Sequence, residues 1–583
     1  MVTQVGRLHL DPTSYRLDRR FFRRIWQLSK PYWSRQDAWR SWIALGTLLG
    51  SVVAYSLFGA WASFVLKRQT DALLGHRQPL FWGLLGLQAA ILSGRVGISM
   101  AQGFVSGRMV LHWRRWLTVY LVDRYLARRT YYEIALDHRI DNPDQRIQEE
   151  TGIFCTYMAG IPQQVFGTFV DIGVQSVVIA TIAPSLMWGI FLFAAVKTAV
   201  MISVYIPSIR KNFELTVSEA DLRYGLLHVR DNAETVAFYR GEYAENRHLI
   251  GRLGTVIAKQ KALIMYYVPV TGVILGFDVI WMVLPLLLLA PQFFAHHVAY
   301  GAIAQATFAG TQIMLALTVF SQSVPLLTAA APRAIRLAEI QEKFEALERD
   351  RHPTAGREQI SFLDSPEIRL EKVSIETPGG EQSLVRDIDL RIAAGDHLVI
   401  LGQTGVGKSS LLRAMAGLWG RGGGSIQMPP ADQMLFLPQR PYMILADLRS
   451  QIVYPTNRSD ISDAGLQAIL ERVSLPNLAA QHGGFAAEKD WAKVLSLGEQ
   501  QRLAFARVLV AHPKYVFLDE ATSAVDLGTE RLLYDLLAAS GATFVSVSHR
   551  ESILRRHRKA LRLLAGGGWE ILAASEVALS PVD

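Results

Sequence analysis

The sequence predicts an α-helical membrane domain of about six transmembrane helices, fused to an α/β domain built around a phosphate-binding loop. Half of the 583 residues are apolar, and mean hydropathy is positive, at +0.19. The apolar residues gather before about residue 332, in runs long enough to cross a bilayer. From Glu367 the pattern changes to short apolar runs and turns, one of which is a glycine-rich loop ending in Lys and Ser.

Residues 1–40 read as an amphipathic segment on the cytoplasmic membrane surface, with Phe21, Phe22, Trp26, Tyr32, Trp33 and Trp39 set among arginines. The formal charge is +9, and much of it sits in this stretch. A basic flank beside a hydrophobic span marks a cytoplasmic face, so no nucleic-acid partner is expected. The segment is polar for too long to be a cleaved leader. Cys155 is the sole cysteine, which excludes an intrachain disulfide and a cysteine-built zinc site.

Residues 41–332 form the membrane domain. Trp42–Leu66 carries no charge and reads as the first span, and Leu80–Val105, interrupted by Arg95, as the second. Ile161–Pro184 and Ser185–Pro207 make a tight pair with Pro184 at the turn. Tyr267–Leu289 and Ala302–Ala331 complete six. The charged connections 108–160 and 208–262 then fall on the same side as the N-terminus, as the positive-inside rule requires. Arg95, Asp171, Lys197 and Asp278 stand within spans, where a charge costs roughly 2.5–3.5 kcal/mol on insertion scales. Either they pair to fix helix packing or they line a polar translocation cavity. The adjacent His296 and His297 are too few to argue for a metal and read as structural.

Residues 333–366 read as a helix and a polar linker, and 367–583 as the α/β domain. Gly402-Gln403-Thr404-Gly405-Val406-Gly407-Lys408-Ser409-Ser410 fits the phosphate-loop pattern, between an apolar strand at 397–401 and a helix start. Backbone N–H groups and the helix N-terminus suit an anion. Lys408 is expected on the β- and γ-phosphates of ATP and Ser409 on Mg²⁺. A flexible glycine run follows at 420–424. Leu435–Gln439 reads as a strand ending in a glutamine that reaches the Mg²⁺ or the attacking water. Leu495–Arg502 opens a helix whose start, at Ser496, Gly498 and Glu499, is a second anion site. Tyr515–Glu520 is a strand ending in two carboxylates, Asp519 for the metal ion and Glu520 for the water. Residues 523–526 form a turn, and Phe544–His549 is a strand whose final His549 faces the γ-phosphate. Gln439 or His549 alone says little; their order after the phosphate loop makes the pattern specific.

Taken together, these residues resemble an ATP-binding cassette (ABC) transporter: Walker A at 402–409, the Q-loop Gln439, the signature at 495–500, Walker B at 515–519, Glu520, the D-loop at 523–526 and His549. The signature reads Leu-Ser-Leu-Gly-Glu-Gln rather than the commoner Leu-Ser-Gly-Gly-Gln. With Leu437-Pro438-Gln439-Arg440-Pro441-Tyr442 it resembles subfamily D, the peroxisomal-type transporters and their bacterial relatives. Asn142–Ile147, and Asn232-Ala233-Glu234 with Phe238-Tyr239, resemble the loops of the SbmA/BacA-like peptide-uptake proteins. The resemblance implies an exporter-type helix layout, ATP and Mg²⁺ as cofactors, and a half-transporter working as a homodimer. Ser496 and Gly498 would then meet a γ-phosphate bound by the second copy, and loops 141–150 and 224–242 would be coupling helices. It implies a bacterial inner membrane protein with its nucleotide domain in the cytoplasm. Uptake of hydrophilic cargo such as cobalamin or peptides is the leading expectation. The alternatives are an exporter of lipids or fatty acyl-CoA and a non-transport membrane-anchored ATPase or sensor. One departure stands out: Val373–Pro378 lacks the aromatic residue on which many ABC proteins stack adenine, so no adenine partner is named.

Overall fold

A computed structural model describes residues 19–137, 140, 142–182, 184–350, 359–377, 382–456, 458, 460–548 and 550–577. The chain divides into two compact units, Met1–Pro353 and Thr354–Asp583.

The first unit is helical among the described residues: α1 (Arg19–Trp33), α2 (Trp39–Leu74), α3 (Gln78–Leu126), α4 (Thr130–Asp137), α5 (Pro143–Gln145), α6 (Thr151–Ala180), α7 (Pro184–Asp231), α8 (Ala233–Phe238), α9 (Glu242–Phe294) and α10 (Tyr300–Asp350). Four of them, α2, α3, α7 and α9, are long and apolar enough to cross a bilayer, in a search of the described residues. Of the other two long helices, α6 carries Gln175 and α10 carries Gln305 and Gln312. They pack on each other and on α2. A helix that faces protein rather than lipid tolerates such residues.

The long helices continue past the apolar spans into the charged regions, as the helical spacing of apolar residues there suggests. Pro184 does begin α7, where a missing N–H costs nothing, but α7 continues through Pro207 to Asp231. The third helix likewise runs unbroken from the span into the charged region. In these extensions α1 is seated by one face rather than resting only on a membrane surface. Its Phe21, Leu28 and Tyr32 join a core with Trp113, Leu117 and Leu121 of α3, Phe154 of α6 and Phe344 of α10. The Tyr32 ring stacks on Trp113 at 4.7 Å, and Arg24 pairs with Glu342 of α10 at 2.8 Å. Phe22 and Trp26 remain exposed on the other face.

The second unit opens with β1 (Ser361–Asp364), β2 (Ile368–Glu376), β3 (Ser383–Ile392), β4 (Leu398–Leu401), α11 (Lys408–Met415), β5 (Gly422–Met428) and β6 (Met434–Leu437). A helical region follows: α12 (Leu448–Val453), α13 (Asp463–Arg472), α14 (Leu478–His482), α15 (Trp491–Val494) and α16 (Leu497–Ala511). It closes with β7 (Tyr515–Asp519), α17 (Leu527–Ala539), β8 (Thr543–Val547), α18 (Glu551–Leu554), β9 (Lys559–Leu563) and β10 (Trp569–Ala573). One sheet has the order β1-β5-β2-β3 and the other β10-β9-β4-β8-β7-β6. In the second, only the β9–β10 pairing is antiparallel. Strand β4 is buried at all four residues, as an apolar run in the middle of a parallel sheet should be.

The glycine run 420–424 is not flexible. Its residues 422–424 open β5 and pair with β2. Gly422 and Gly424 adopt φ of +134° and +89°. A Cβ there would strike the main chain at Ser374 and Lys372. The glycines admit a close strand crossing beside a bulge in β2.

Candidate functional site

The parallel strands deliver their chemistry at their carboxyl ends, where ligands bind in open α/β sheets. The phosphate loop follows β4. Gly402, Gly405 and Gly407 take φ of +144°, +87° and +107°, the region that favours glycine. A Cβ at Gly402 would also sit 2.7 Å from the Leu563 carbonyl oxygen. Thr404 is exposed on the loop, Val406 lies inside its curl against Gly402, and Ser410 is in the first turn of α11.

Lys408 folds back on its own loop. Its Nζ donates to the carbonyl oxygens of Gly402 at 2.7 Å and Gln403 at 3.0 Å. Burial draws this ammonium below the ordinary lysine range, while the carboxylates of Glu520 and Asp519 act against that shift. Ser409 Oγ donates to Asp519 Oδ1 at 3.2 Å, joining the first turn of α11 to the end of β7. Gln439 Nε2 donates to Glu520 Oε2 at 2.9 Å, joining the ends of β6 and β7. Glu520 itself is held at φ +49°, a strained conformation for a non-glycine residue and one that clusters at functional sites. Ser409, Gln439, Asp519 and Glu520 therefore converge on one surface beside Lys408.

The oxygen donors in this group, a hydroxyl, a carboxylate and an amide carbonyl, are hard ligands of the kind Mg²⁺ takes. Their residue types and their convergence fit that ion. The adjacent His296 and His297 gain no such company: among the described residues no three His, Cys, Asp or Glu side chains gather to hold a metal.

The signature residues make a different kind of site. Ser496 caps α16 in a reciprocal capping box with Glu499. Ser496 Oγ donates to Glu499 Oε2 at 2.7 Å, and the Ser496 N–H donates to the same oxygen at 2.9 Å. Burial pushes the Glu499 carboxyl upward, but these bonds outweigh it and hold it below the usual range. Gly498 is needed for close approach, because a Cβ would lie 2.8 Å from the Ala524 carbonyl oxygen. The signature is thus packed on the D-loop. His549 lies outside the described residues.

Two residues of this domain escape a motif reading. Gln501 is fully buried and bonds to both the Gln439 loop and the 523–526 turn. Trp419 Nε1 donates to the Glu376 carbonyl oxygen at 2.8 Å, which brings an aromatic ring to the end of β2 where the local sequence has none. Neither is visible in spacing, because each acts across the fold.

In the membrane unit the four intramembrane charges fall into two groups. Lys197 Nζ on α7 donates to Asp278 Oδ1 on α9 at 2.9 Å, a plain interhelical tie. Arg95 is buried on α3. Its Nη2 donates to Gln312 Oε1 on α10 at 3.3 Å, and its guanidinium lies 4.1 Å from the Tyr55 ring centroid on α2. Asp171 on α6 is within electrostatic reach of it. Arg95 Nε and the Oε1 of Gln175, whose side chain lies beside Arg95 at Gly59, go without partners, as do Gln88 Oε1 and both amide atoms of Gln305 elsewhere on α3 and α10. Gln88 precedes Arg95, and Gln305 precedes Gln312, by two helical turns, so each pair shares a face.

The loop motifs have distinct fates. Arg146, in the 142–147 motif, is buried and ties to Glu339 at 2.9 Å and to the Arg336 carbonyl oxygen at 2.7 Å on α10. In the second loop Phe238 and Tyr239 are exposed.

Residues 28–294 match the family ABC transporter transmembrane region 2, and residues 385–523 match the family ABC transporter. An uncharacterized ABC transporter ATP-binding protein of Synechocystis is 37% identical over 92% of this chain and 82% of its own length. The human lysosomal cobalamin transporter is 30% identical, covering 96% of this chain and 97% of its own. ABC transporter D family member 2 of Arabidopsis thaliana, a chloroplastic protein, is 28% identical over 93% of this chain and 86% of its own.

Proposed function

The chain belongs to the ABC transporter family, as a D-family-like half transporter whose cassette couples ATP hydrolysis to transport, and from that premise we propose that two copies form a homodimer that takes up hydrophilic cargo. It is an integral membrane protein with several apolar helices. We assign it to a bacterial inner membrane with the cassette in the cytoplasm, the side where ATP is found.

On this reading Lys408 leaves the carbonyls of Gly402 and Gln403 and turns to the β- and γ-phosphates of ATP. Gln403 to Ser410 surround the phosphates with backbone N–H groups. Ser409, Asp519 and Gln439 would hold Mg²⁺, which when bound neutralises charge on the phosphate oxygens. Glu520 accepts the proton of the water that attacks the γ-phosphorus as the bond to ADP breaks. Gln439 Nε2 orients this carboxylate while the carboxylate's other oxygen takes the proton. His549 contributes a contact to the γ-phosphate. Ser496, Gly498 and Glu499 belong to the site of the second copy, so each ATP is walled by two chains. Loops 141–150 and 224–242 carry the closure to the membrane helices.

The observation that carries the cargo class is the pair of unpartnered buried atoms at Arg95 and Gln175, with further unpartnered glutamine amides at Gln88 and Gln305 on the helix faces of Arg95 and Gln312. Such atoms are rare in a finished core, and each needs an explanation in water, ligand or an alternative packing. Lys197 and Asp278 need none, since they satisfy each other. We therefore place Arg95 and Asp171 on the polar path and leave Lys197 and Asp278 to packing. Cargo of the cobalamin or peptide class, rich in amides, matches the glutamine amides there. The name of the human relative, a lysosomal cobalamin transporter, supports that class.

Reconstitution into liposomes in both orientations tests the reading. ATP should drive cobalamin or peptide toward the cassette side. Acyl-CoA moving away from the cassette side would overturn both the direction and the cargo class, and ATPase activity that no cargo stimulates would point to a sensor.

A further inference from the structure

We propose that Gln501 is a positioning residue for ATP hydrolysis: it closes a ring of hydrogen bonds that fixes the Q-loop and the D-loop to the signature helix.

Gln501 lies on the second turn of α16, two residues after the capping Glu499, and is 0% exposed. Its Nε2 donates to the Gln439 carbonyl oxygen at 2.9 Å and to Ser523 Oγ at 3.1 Å. Its Oε1 accepts from the Ala524 N–H at 2.9 Å. One amide therefore serves two separate loops. A buried amide that lost its partners would leave each of them unsatisfied as well.

The ring closes through Glu520. Gln439 Nε2 donates to Glu520 Oε2 at 2.9 Å, and the Ser523 N–H donates to the Glu520 carbonyl oxygen at 3.0 Å. Going round, Glu520 is joined to the Gln439 side chain, the Gln439 backbone to Gln501, Gln501 to Ser523, and Ser523 back to Glu520. The link between Gln439 and Glu520 orients the carboxylate that takes the proton, and Gln501 holds the Gln439 backbone from behind so that this orientation is kept. The same amide holds residues 523–524, and Gly498 packs on Ala524. The position of Glu520 is thereby coupled to the signature helix.

A residue that only fills a polar interior would affect stability and every kinetic constant together. A positioning residue lowers turnover and spares ATP binding, because Gln501 makes no bond to the phosphate loop in this network. The test is ATPase kinetics on the full-length protein in nanodiscs. It compares Gln501→Met, Gln439→Ala and the double variant. We expect Gln501→Met to lower kcat about thirtyfold with KM for ATP within about threefold, and the double variant to fall no further than the worse single. A kcat within about threefold of wild type, a matching change in KM, or losses that multiply in the double variant would overturn the proposal. If Gln501→Met does not fold, Ser523→Ala decides. That exposed residue supplies one bond of the ring, so a drop in kcat of about threefold at constant KM supports the ring, and wild-type kcat refutes it.

Discussion

The cassette and the membrane unit treat their polar interiors in opposite ways. In the cassette, key polar groups of the nucleotide site and its support already have partners: Lys408 has two carbonyls, Ser409 has Asp519, Gln439 has Glu520, and Gln501 has three. Among the described residues, every buried side-chain polar atom without a partner belongs to the membrane unit. A site that is fully paired at rest changes by exchange, one hydrogen bond for another. A site with spare donors and acceptors changes by filling. ATP has to displace contacts in the first, whereas water or cargo can add contacts in the second.

The contrast orders the expected effects. Glu520→Gln keeps the bond geometry to Gln439 but removes the proton acceptor, so ATPase turnover should fall about a hundredfold or more while ATP stays bound. Phosphate release and size-exclusion chromatography with ATP would report it as an inactive closed dimer. Wild-type turnover would remove Glu520 from the base role.

The next largest effect concerns the cassette interior. His557 is buried, with Nδ1 at 2.8 Å from the Ile553 carbonyl oxygen and Nε2 at 2.9 Å from Ser546 Oγ. A carbonyl only accepts, so Nδ1 carries the proton and Nε2 receives the serine hydroxyl. Burial pulls this imidazole down to about 4, against a weaker opposing pull from the Ile553 carbonyl. The unfolded chain takes up the proton below about pH 6.5, whereas the folded chain does not until about pH 4. Stability should therefore drop through that window, by about 3 kcal/mol at pH 4. Denaturant melts at stepped pH would show the drop, and His557→Gln should flatten it.

In the membrane unit, Gln305→Leu removes two unpartnered amide atoms. Thermal stability should hold or rise, and cargo uptake should fall about tenfold. Loss of stability instead would mean that the amide is paired in the membrane and the contrast is false. Lys197→Met leaves Asp278 unpaired within a span and should cost roughly 2.5–3.5 kcal/mol of stability, read from thermal melts. Transport should follow the folded fraction alone. A transport defect larger than that would return Lys197 to the cargo path.

The sequence makes the nucleotide site legible because its chemistry is local: a phosphate loop, a carboxylate pair and a capped helix each sit within a few residues. Helices were legible where apolar runs were long, but their ends were not. Pro207 marks the end of an apolar span, and α7 passes through it to Asp231. Glycines 420–424 read as slack, yet they are tight because β2 crosses against them, a fact of pairing rather than composition. The intramembrane charges could be found but not sorted, since sorting them needs to know that Lys197 meets Asp278 and Arg95 meets Gln312. Gln501 sits in plain view beside the signature, but its three bonds reach residues 62 positions upstream and up to 23 positions downstream.

The capping box at Ser496 has a consequence for timing. The hydroxyl proposed to greet the second chain's phosphate is already spent on Glu499, so an internal carboxylate acts as a placeholder for the absent anion. On the proposed two-chain site, a phosphate would have to compete with this carboxylate for the hydroxyl, with more charge and more oxygens on its side. In the commoner signature, a glutamine stands where this chain has Glu499, and no such rival charge is present. On that proposal, the variant would set a threshold for closure in one side chain.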